Sequence, residues 1–349
     1  MYSPLVEGCG PSNNASNASS VACVNRYAAV MPYHFFRPSS YNTTDYPFAS
    51  TSVPNDTSFG LLNSSDFVVY DRAQGLPLLG DNPTYEKMFE DQVTMAVHEA
   101  PVYVPGINKL FMGVLEQGYL PQLVVDLNQD PPALSEFESD PPVYAPNGGT
   151  CHGGLVYWDT TPQLHAQTYR FRPSTGQLWV VEDSLGQPNG IAISPDAKNV
   201  YICDTIAGSG TISPHYPNVH SLPYNQTAKQ TVYKYDIVDA DTAPALINKR
   251  PFYYSQEWVP DGLRVAANGF VVAGVGMGVD VIDRIGSLVL QIRTDYIVQN
   301  FAWVGEDLTE FWLMRQGGIS RVRWNLKVAG VEVKHFVGMG LGGMCVRQK

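Results

Sequence analysis

The chain has 349 residues, of which 44% are apolar and only 16% charged. That length allows two domains or one large all-β unit. Thirty-three acids against 22 Lys and Arg leave a formal charge of −11, which speaks against nucleic acid or an anionic membrane surface as partner, because phosphate binding needs clustered cations. No apolar run approaches the roughly 18 residues of a membrane-spanning helix.

Residues 1–85 are rich in Ser, Asn, Pro and aromatics and show no sustained helical period. They read as an arm wrapped on a main body of residues 86–349, contributing one strand near Asp66–Tyr70. Asn-x-Ser/Thr acceptors stand at Asn14, Asn17, Asn42, Asn55 and Asn63, with a sixth at Asn225. Their crowding predicts N-glycosylation and a secreted or secretory-pathway lumenal protein. No basic-then-apolar leader opens the sequence, so a signal peptide is expected to have been trimmed from it. Cys9 and Cys23 bracket a polar loop and are expected to pair. Cys151, Cys203 and Cys345 leave an odd thiol, and Cys203, inside a strand-like run, is expected to be buried and free. No CxxC or Cys/His spacing suggests zinc. Asn82-Pro83 followed by Glu86, Lys87 and Glu90 predicts a short helix over Thr84–Asp91.

From Val93 onward, short β runs alternate with Gly, Pro, Asn and Asp turns. The first unit reads Met95–Val102, a turn at Pro105–Asn108, Lys109–Gly113 and Leu120–Leu127. The second takes Val143–Ala145, Gly154–Trp158, Thr168–Arg172, a turn at Pro173–Gly176, and Leu178–Val181. The third takes Gly190–Ile193, a turn at Ser194–Ala197, Asn199–Asp204 and, beyond an insertion bearing His215 and His220, Thr231–Val238. The fourth takes Gly262–Ala266, a turn at Ala267–Gly269, Phe270–Val275 and Val279–Asp283. The last takes Val298–Val304, Thr309–Met314 and Gly318–Trp324. Three units open alike, at Ala145-Pro146-Asn147-Gly148, Gln187-Pro188-Asn189-Gly190 and Val259-Pro260-Asp261-Gly262. A repeated four-strand unit predicts an all-β propeller, whose first strands line a central channel so that the three tips converge.

These residues resemble the SMP-30/gluconolactonase family, in its fungal secreted branch. His98-Glu99-Ala100-Pro101-Val102-Tyr103-Val104-Pro105 is similar to that branch's opening blade, and Asn147-Gly148-Gly149-Thr150 to its Gly-Gly-Thr strand. Tyr169-Arg170-Phe171-Arg172-Pro173 leads into Gln187-Pro188-Asn189-Gly190-Ile191-Ala192-Ile193-Ser194-Pro195-Asp196, which is similar to the blade with an asparagine ligand. Val259-Pro260-Asp261-Gly262 is similar to the blade whose aspartate is ligand and general base. The resemblance spans residues 88–330. It implies a six-bladed propeller with one divalent cation, often calcium, held here by Glu99, Asn189 and Asp261. A hard cation wants such oxygen ligands, could polarise a lactone carbonyl and lower the pKa of a water, and Asp261 would take the proton.

The chain also departs from the pattern. Five repeats are countable rather than six, and the amide-bearing blade between the Gly-Gly-Thr and Pro-Asn-Gly units has no counterpart. Either a blade is lost or the arm strand near Asp66–Tyr70 helps complete a sixth, and the missing ligand has no carrier unless Asn147 replaces it. The fungal superfamily includes hetero-Diels–Alderases, which dehydrate a hydroxymethyl tropolone to a quinone methide and direct its cycloaddition to a humulene-type alkene. That metal-free pericyclase reading is placed first here. Glu99, Asn189, Asp261 and His152 would then hold the polar head, Asn147 and His98 would assist, and Trp258, Phe301 and Trp303 would contact the terpene, with Trp158, Tyr253 and Tyr254 as further aromatics. Divalent-metal lactone hydrolysis is the alternative, and a secreted small-molecule-binding propeller without catalysis the third. There is no Gly-x-Ser-x-Gly elbow, and Gly276-x-Gly278 is a turn with no helix after it to bind a dinucleotide.

Overall fold

Short apolar runs bounded by turn residues become strands almost throughout the computed structural model, which describes residues 4–10, 19–25, 52–90, 97–114, 121–138, 149–152, 155–158, 167–172, 177–208, 225, 227–238, 245–255, 258–305, 307–315 and 317–328. The arm opens with β1 (Val6–Gly8) and β2 (Val21–Val24), antiparallel and stapled by the expected Cys9–Cys23 disulfide. Val6, Ala22 and Val24 pack with Phe59, Leu62, Val68 and Tyr70, a small core of the arm's own. β3 (Phe67–Val69), the strand expected near Asp66–Tyr70, runs parallel to β2. Helix α1 (Arg72–Leu79) follows. It starts because the Asp71 carboxylate accepts the Gln74 N–H at 3.1 Å, and stops at Gly80, whose φ of 74° suits a residue without Cβ.

The helix expected over Thr84–Asp91 is instead β4 (Thr84–Phe89). Its Glu, Lys and Met have helical leanings, but the free edge of a distant strand takes the segment up, and tertiary pairing overrides weak local propensity. Arg321 Nη2 donates to the Glu86 carboxylate at 2.6 Å, which fixes the register across 235 residues.

The body comprises β5 (Val97–Val104), β6 (Lys109–Val114), β7 (Gln122–Asp126) and β8 (Ala133–Phe137) as one antiparallel sheet. Two hairpins follow, β9 (Gly149–His152) with β10 (Leu155–Trp158) and β11 (Thr168–Arg172) with β12 (Gln177–Glu182). Next come β13 (Pro188–Ile193), β14 (Asn199–Asp204), β15 (Thr231–Val238) and β16 (Ala245–Tyr254). β17 (Pro260–Val265), β18 (Val271–Val275), β19 (Gly278–Ile282) and β20 (Leu288–Arg293) form another meander, whose outer edge receives β3 and, through it, β2 and β1. These three strands therefore widen this existing sheet. The last sheet is β21 (Asn300–Val304), β22 (Glu310–Arg315) and β23 (Gly318–Arg323), with β4 as its fourth strand. Strands more than 200 residues apart in the chain thus share one sheet.

The first strands of neighbouring units pack against one another. β13 packs beside β17, β17 beside β21, β21 beside β5 and β5 beside β9. First strands arranged about an axis, with meanders running outward from them, make a β-propeller. Between sheets the core is aromatic and aliphatic. Trp303, Phe301, Phe311 and Trp324 form one ring cluster, with Trp303 and Phe311 centroids 4.5 Å apart.

Candidate functional site

The two Pro-Asn/Asp-Gly tips within the described residues meet where the first strands crowd together. A Cβ on Gly190 would fall 2.0 Å from the Asp261 carbonyl oxygen, and one on Gly262 would fall 2.7 Å from Asn300 Oδ1 and 2.8 Å from the Gln299 carbonyl oxygen. Glycine is required there because another strand occupies the space a side chain needs. The Gly262 N–H donates to the Gln299 carbonyl at 2.8 Å, hooking β17 onto β21.

Three of the four expected polar residues lie in bulges of these inner strands. Pairing slips between Pro188 and Ile191 in β13, between Pro260 and Leu263 in β17, and on both sides of Glu99 in β5. A bulge re-aims the side chains at the slip. At Glu99 the next residue, Ala100, takes φ 56° although it carries a Cβ, a strained conformation buried at the site. The Asn189 loop is held from behind by Asp204, which is fully buried and accepts the Gly186 and Gln187 N–H groups at 3.0 Å each.

Asp261 is the most perturbed acid of the site. Burial pushes its carboxyl up from 3.8 to about 7, against the opposing field of Arg315 and a hydrogen bond with the Asn189 side chain. Its Oδ1 is buried without a hydrogen-bond partner among the described residues. Cys203, buried and free as expected, donates its thiol to the Asp261 backbone carbonyl at 3.3 Å, and burial raises the thiol's pKa so that it stays a neutral donor. Glu99 is also buried and sits in the field of Arg264. Arg264 is half-buried, donates through Nη1 to the Leu263 carbonyl at 2.7 Å, and has its pKa lowered by desolvation, opposed by Glu99. Arg315 behaves alike beside Asp261.

The sequence did not point to either arginine. Arg264 could have been flagged as a charged residue inside an otherwise apolar inner strand, three positions after Asp261. Arg315 belongs to no repeated motif.

Asn189, Asp261 and Glu99 therefore share the region of the inner-strand tips. His152 ends β9, the strand beside β5, and His98 lies in β5, but their side chains are outside the described residues, as is all of Asn147. Residues 143–145 and the insertion histidines are outside them too. Trp258 is buried against Ala207 and Val259 just ahead of β17. Phe301 and Trp303 are 0% and 1% exposed, and Trp303 Nε1 donates to the Leu326 carbonyl at 3.0 Å. Substrate contact was the expectation for this pair, but packing between sheets accounts for both, because alternate residues of an inner strand face the neighbouring sheets. Tyr253 is likewise buried, its hydroxyl donating to Asp280 at 2.6 Å, while Tyr254 is exposed.

A hard divalent cation needs several anionic or carbonyl oxygens with net negative charge around them. Glu99, Asn189 and Asp261 offer the right atoms. Each of the two carboxylates also lies in the field of a half-buried arginine, Arg264 at Glu99 and Arg315 at Asp261. Among the described residues no three His, Cys, Asp or Glu side chains gather as a metal cluster.

The model for the SMP-30/Gluconolactonase/LRE-like region matches residues 132–213. Lactonohydrolase oryL of Aspergillus oryzae is 35% identical over 378 residues, covering 88% of this chain and 86% of that protein. Lactonohydrolase oryH of the same fungus is 30% identical, covering 94% and 95%. Among solved structures, a calcium-binding protein, regucalcin, from Agrobacterium tumefaciens shares the fold at a TM-score of 0.51 and 12% identity, covering 70% of this chain and 94% of its own. With relatives this similar along nearly their whole length, the chain belongs to the SMP-30/gluconolactonase family, alongside the fungal lactonohydrolases.

Proposed function

We propose that the chain is an enzyme that opens lactones by adding water, with Asp261 as general base. The observation that carries this reading is the buried Asp261 carboxyl, its pKa at about 7 and one oxygen unpartnered among the described residues, at the crowded tips of the inner strands. A base poised near neutral pH is matched to taking a proton from water in the transition state. The names of the two fungal relatives support the same reaction class.

In the reaction, water attacks the lactone carbonyl as its proton passes to Asp261. The ring C–O bond then breaks, and the same proton returns to the leaving alkoxide, giving a hydroxy acid. The Asn189 amide steadies the carboxylate, and the Cys203 thiol on the Asp261 carbonyl fixes the backbone carrying it. The cycloaddition reading leaned on aromatics at the strand tips, and that support weakens with Phe301 and Trp303 in the core.

The test is hydrolysis of a panel of small aliphatic and aromatic lactones by the wild-type chain and by Asp261→Asn. Loss of general-base catalysis is expected to lower kcat by about 10²-fold or more with KM little changed. Turnover undiminished in Asp261→Asn would remove the assignment. We further infer a secreted glycoprotein in which residues 1–85 form an arm on the propeller. Asn55 and Asn63 are exposed in the structure, and in Asn225-Gln226-Thr227 the Asn225 Oδ1 accepts the Thr227 hydroxyl at 2.9 Å. A mass decrease on enzymatic deglycosylation of protein secreted by a fungal host checks this, and an unchanged mass refutes it.

A further inference from the structure

We propose that Gln299 is a further substrate-binding residue of the site, the β21 counterpart of Asn189 and Asp261, whose side-chain amide holds the carbonyl oxygen of the lactone. The carbonyl role rests on the hydrolase reading above; the placement of Gln299 does not.

Strand register identifies the position. In β13 the ladder leaves Pro188 at Asp204 and resumes with Ile191 at Ile202, so Asn189 and Gly190 together face Cys203. In β17 it leaves Pro260 at Val275 and resumes with Leu263 at Ala273, so Asp261 and Gly262 together face Gly274. In β21 Phe301 pairs with Leu313, and the next residue of β22, Met314, meets two. Asn300 pairs with Met314, and the Gln299 N–H donates to the Met314 carbonyl at 3.4 Å. Stepping back from Ile191, Leu263 and Phe301 by the same interval gives Asn189, Asp261 and Gln299.

Contacts between neighbouring units give the same equivalence. A Cβ on Gly190 would lie 2.0 Å from the Asp261 carbonyl oxygen, and one on Gly262 would lie 2.8 Å from the Gln299 carbonyl oxygen. Cys203, on the second strand of its unit, donates its thiol to the Asp261 carbonyl at 3.3 Å. A Cβ on Gly274, the matching position of β18, would lie 3.2 Å from the Gln299 carbonyl oxygen. What touches Asp261 in one unit therefore touches Gln299 in the next. Equivalent positions on the inner strands of a propeller aim their side chains alike. Gln299, half-buried, is thereby directed to the tips beside Asp261. Where the other two tips place glycine after the polar residue, β21 places Asn300. Its Oδ1 accepts the Phe301 N–H at 2.9 Å and fills the space that Gly262 leaves open. Val298-Gln299-Asn300 has neither the Pro nor the Gly of the other tips, so no repeat in the sequence marks it.

An amide differs from the acids at the other tips. It stays neutral, and its nitrogen carries two hydrogens to donate. When water attacks the lactone carbonyl, negative charge gathers on the carbonyl oxygen, and a donor fixed on a rigid strand stabilises that charge with little reorganisation. Gln299 Nε2 donates a hydrogen bond to that oxygen and transfers no proton. The proton of the water goes to Asp261 and from there to the leaving alkoxide.

Two measurements test this. Gln299→Leu removes the donor, and Gln299→Glu replaces it with an acceptor. On lactones that the wild type opens, each is expected to lower kcat and kcat/KM alike by about 10²-fold, with KM and melting temperature little changed. Undiminished kcat in either variant overturns the carbonyl role, as does a loss that comes with a matching fall in melting temperature. Placement is read separately, without turnover. Gln299→Cys and, as a core control, Phe301→Cys are exposed to methyl methanethiosulfonate and weighed intact against the wild-type background. Modification of Gln299→Cys alone is expected, and a Gln299→Cys thiol as inert as the control overturns the placement. A wild type that opens no lactone sinks the hydrolase reading and the carbonyl role with it, while the labelling still decides where Gln299 points. Lactone opening that Gln299→Leu leaves intact sinks this proposal and spares the hydrolase reading.

Discussion

Replacing Asp261 with Asn keeps the shape of the side chain and removes the one acid that burial penalises most at the site. In the folded chain this carboxyl titrates near 7, whereas its ordinary value is 3.8. Between those two pH values the folded state holds a proton that the unfolded state has lost, so stability falls as pH rises from about 4 to about 7 and then levels off. At about 1.4 kcal/mol per pH unit, the full interval amounts to about 4 kcal/mol lost above pH 7. That figure already contains the favourable field of Arg315 and the Asn189 hydrogen bond, because a pKa is a net quantity. Asp261→Asn has no such loss. It is expected to match the wild type near pH 4 and to exceed it by up to about 4 kcal/mol at pH 8, while its activity collapses. Urea unfolding followed by tryptophan fluorescence at several pH values, with the disulfide intact, measures the difference. A stability difference between the two proteins that does not vary with pH from 4 to 8 would refute the claim that this carboxyl is buried against its will.

Gly190→Ala would drive a methyl to 2.0 Å from the Asp261 carbonyl oxygen, which is backbone and cannot step aside. A loss of roughly 3 kcal/mol is expected, with activity falling further than stability because β17 must shift, and thermal melts with parallel rate measurements check it. Trp303→Phe removes packing volume from the Phe301, Phe311 and Trp324 cluster and should lower stability by about 1–3 kcal/mol while leaving KM unchanged. A raised KM with unchanged stability would restore Trp303 to the substrate. Replacing Cys9 and Cys23 with Ser opens a loop of 14 residues' separation and should cost about 3 kcal/mol, seen as early proteolysis ahead of β3.

The body strands expected from the sequence have apolar faces, although β20, equally apolar, was not among those expected. Thr168–Arg172, Asn199–Asp204 and Thr231–Val238 appear at the bounds read from the sequence. Strands β8 and β16 escaped notice because they are the outermost of their sheets. Ser135, Glu136 and Phe137, and Ile247, Asn248 and Lys249, face water, so no apolar alternation marks them. β4 escaped because its partner, β23, begins more than 200 residues away, and no local signal announces a free edge that distant. The arm strand was anticipated but its destination was not. Whether it extended an existing sheet or completed another depended on which edge lay open, and that was β20.

At the site, the repeated Pro-Asn-Gly and Pro-Asp-Gly tips were legible because each glycine answers a local demand. The repeat also implied convergence, since equivalent strands in a propeller meet at its axis. The sequence therefore determined by itself the all-β class, the repeating unit and the Cys9–Cys23 disulfide, and it nominated Glu99, Asn189 and Asp261 as the polar candidates. Only the tertiary structure decided what surrounds them. Burial depth, the Arg264 and Arg315 fields and the Cys203 contact all arise from strands that approach through space, and a carboxyl's pKa follows from that surrounding rather than from its neighbours in the chain. The aromatics show the same division. The sequence offered them as candidate lining of an apolar cavity, but whether they faced a ligand or a core depended on the side of each inner strand that its neighbour covered.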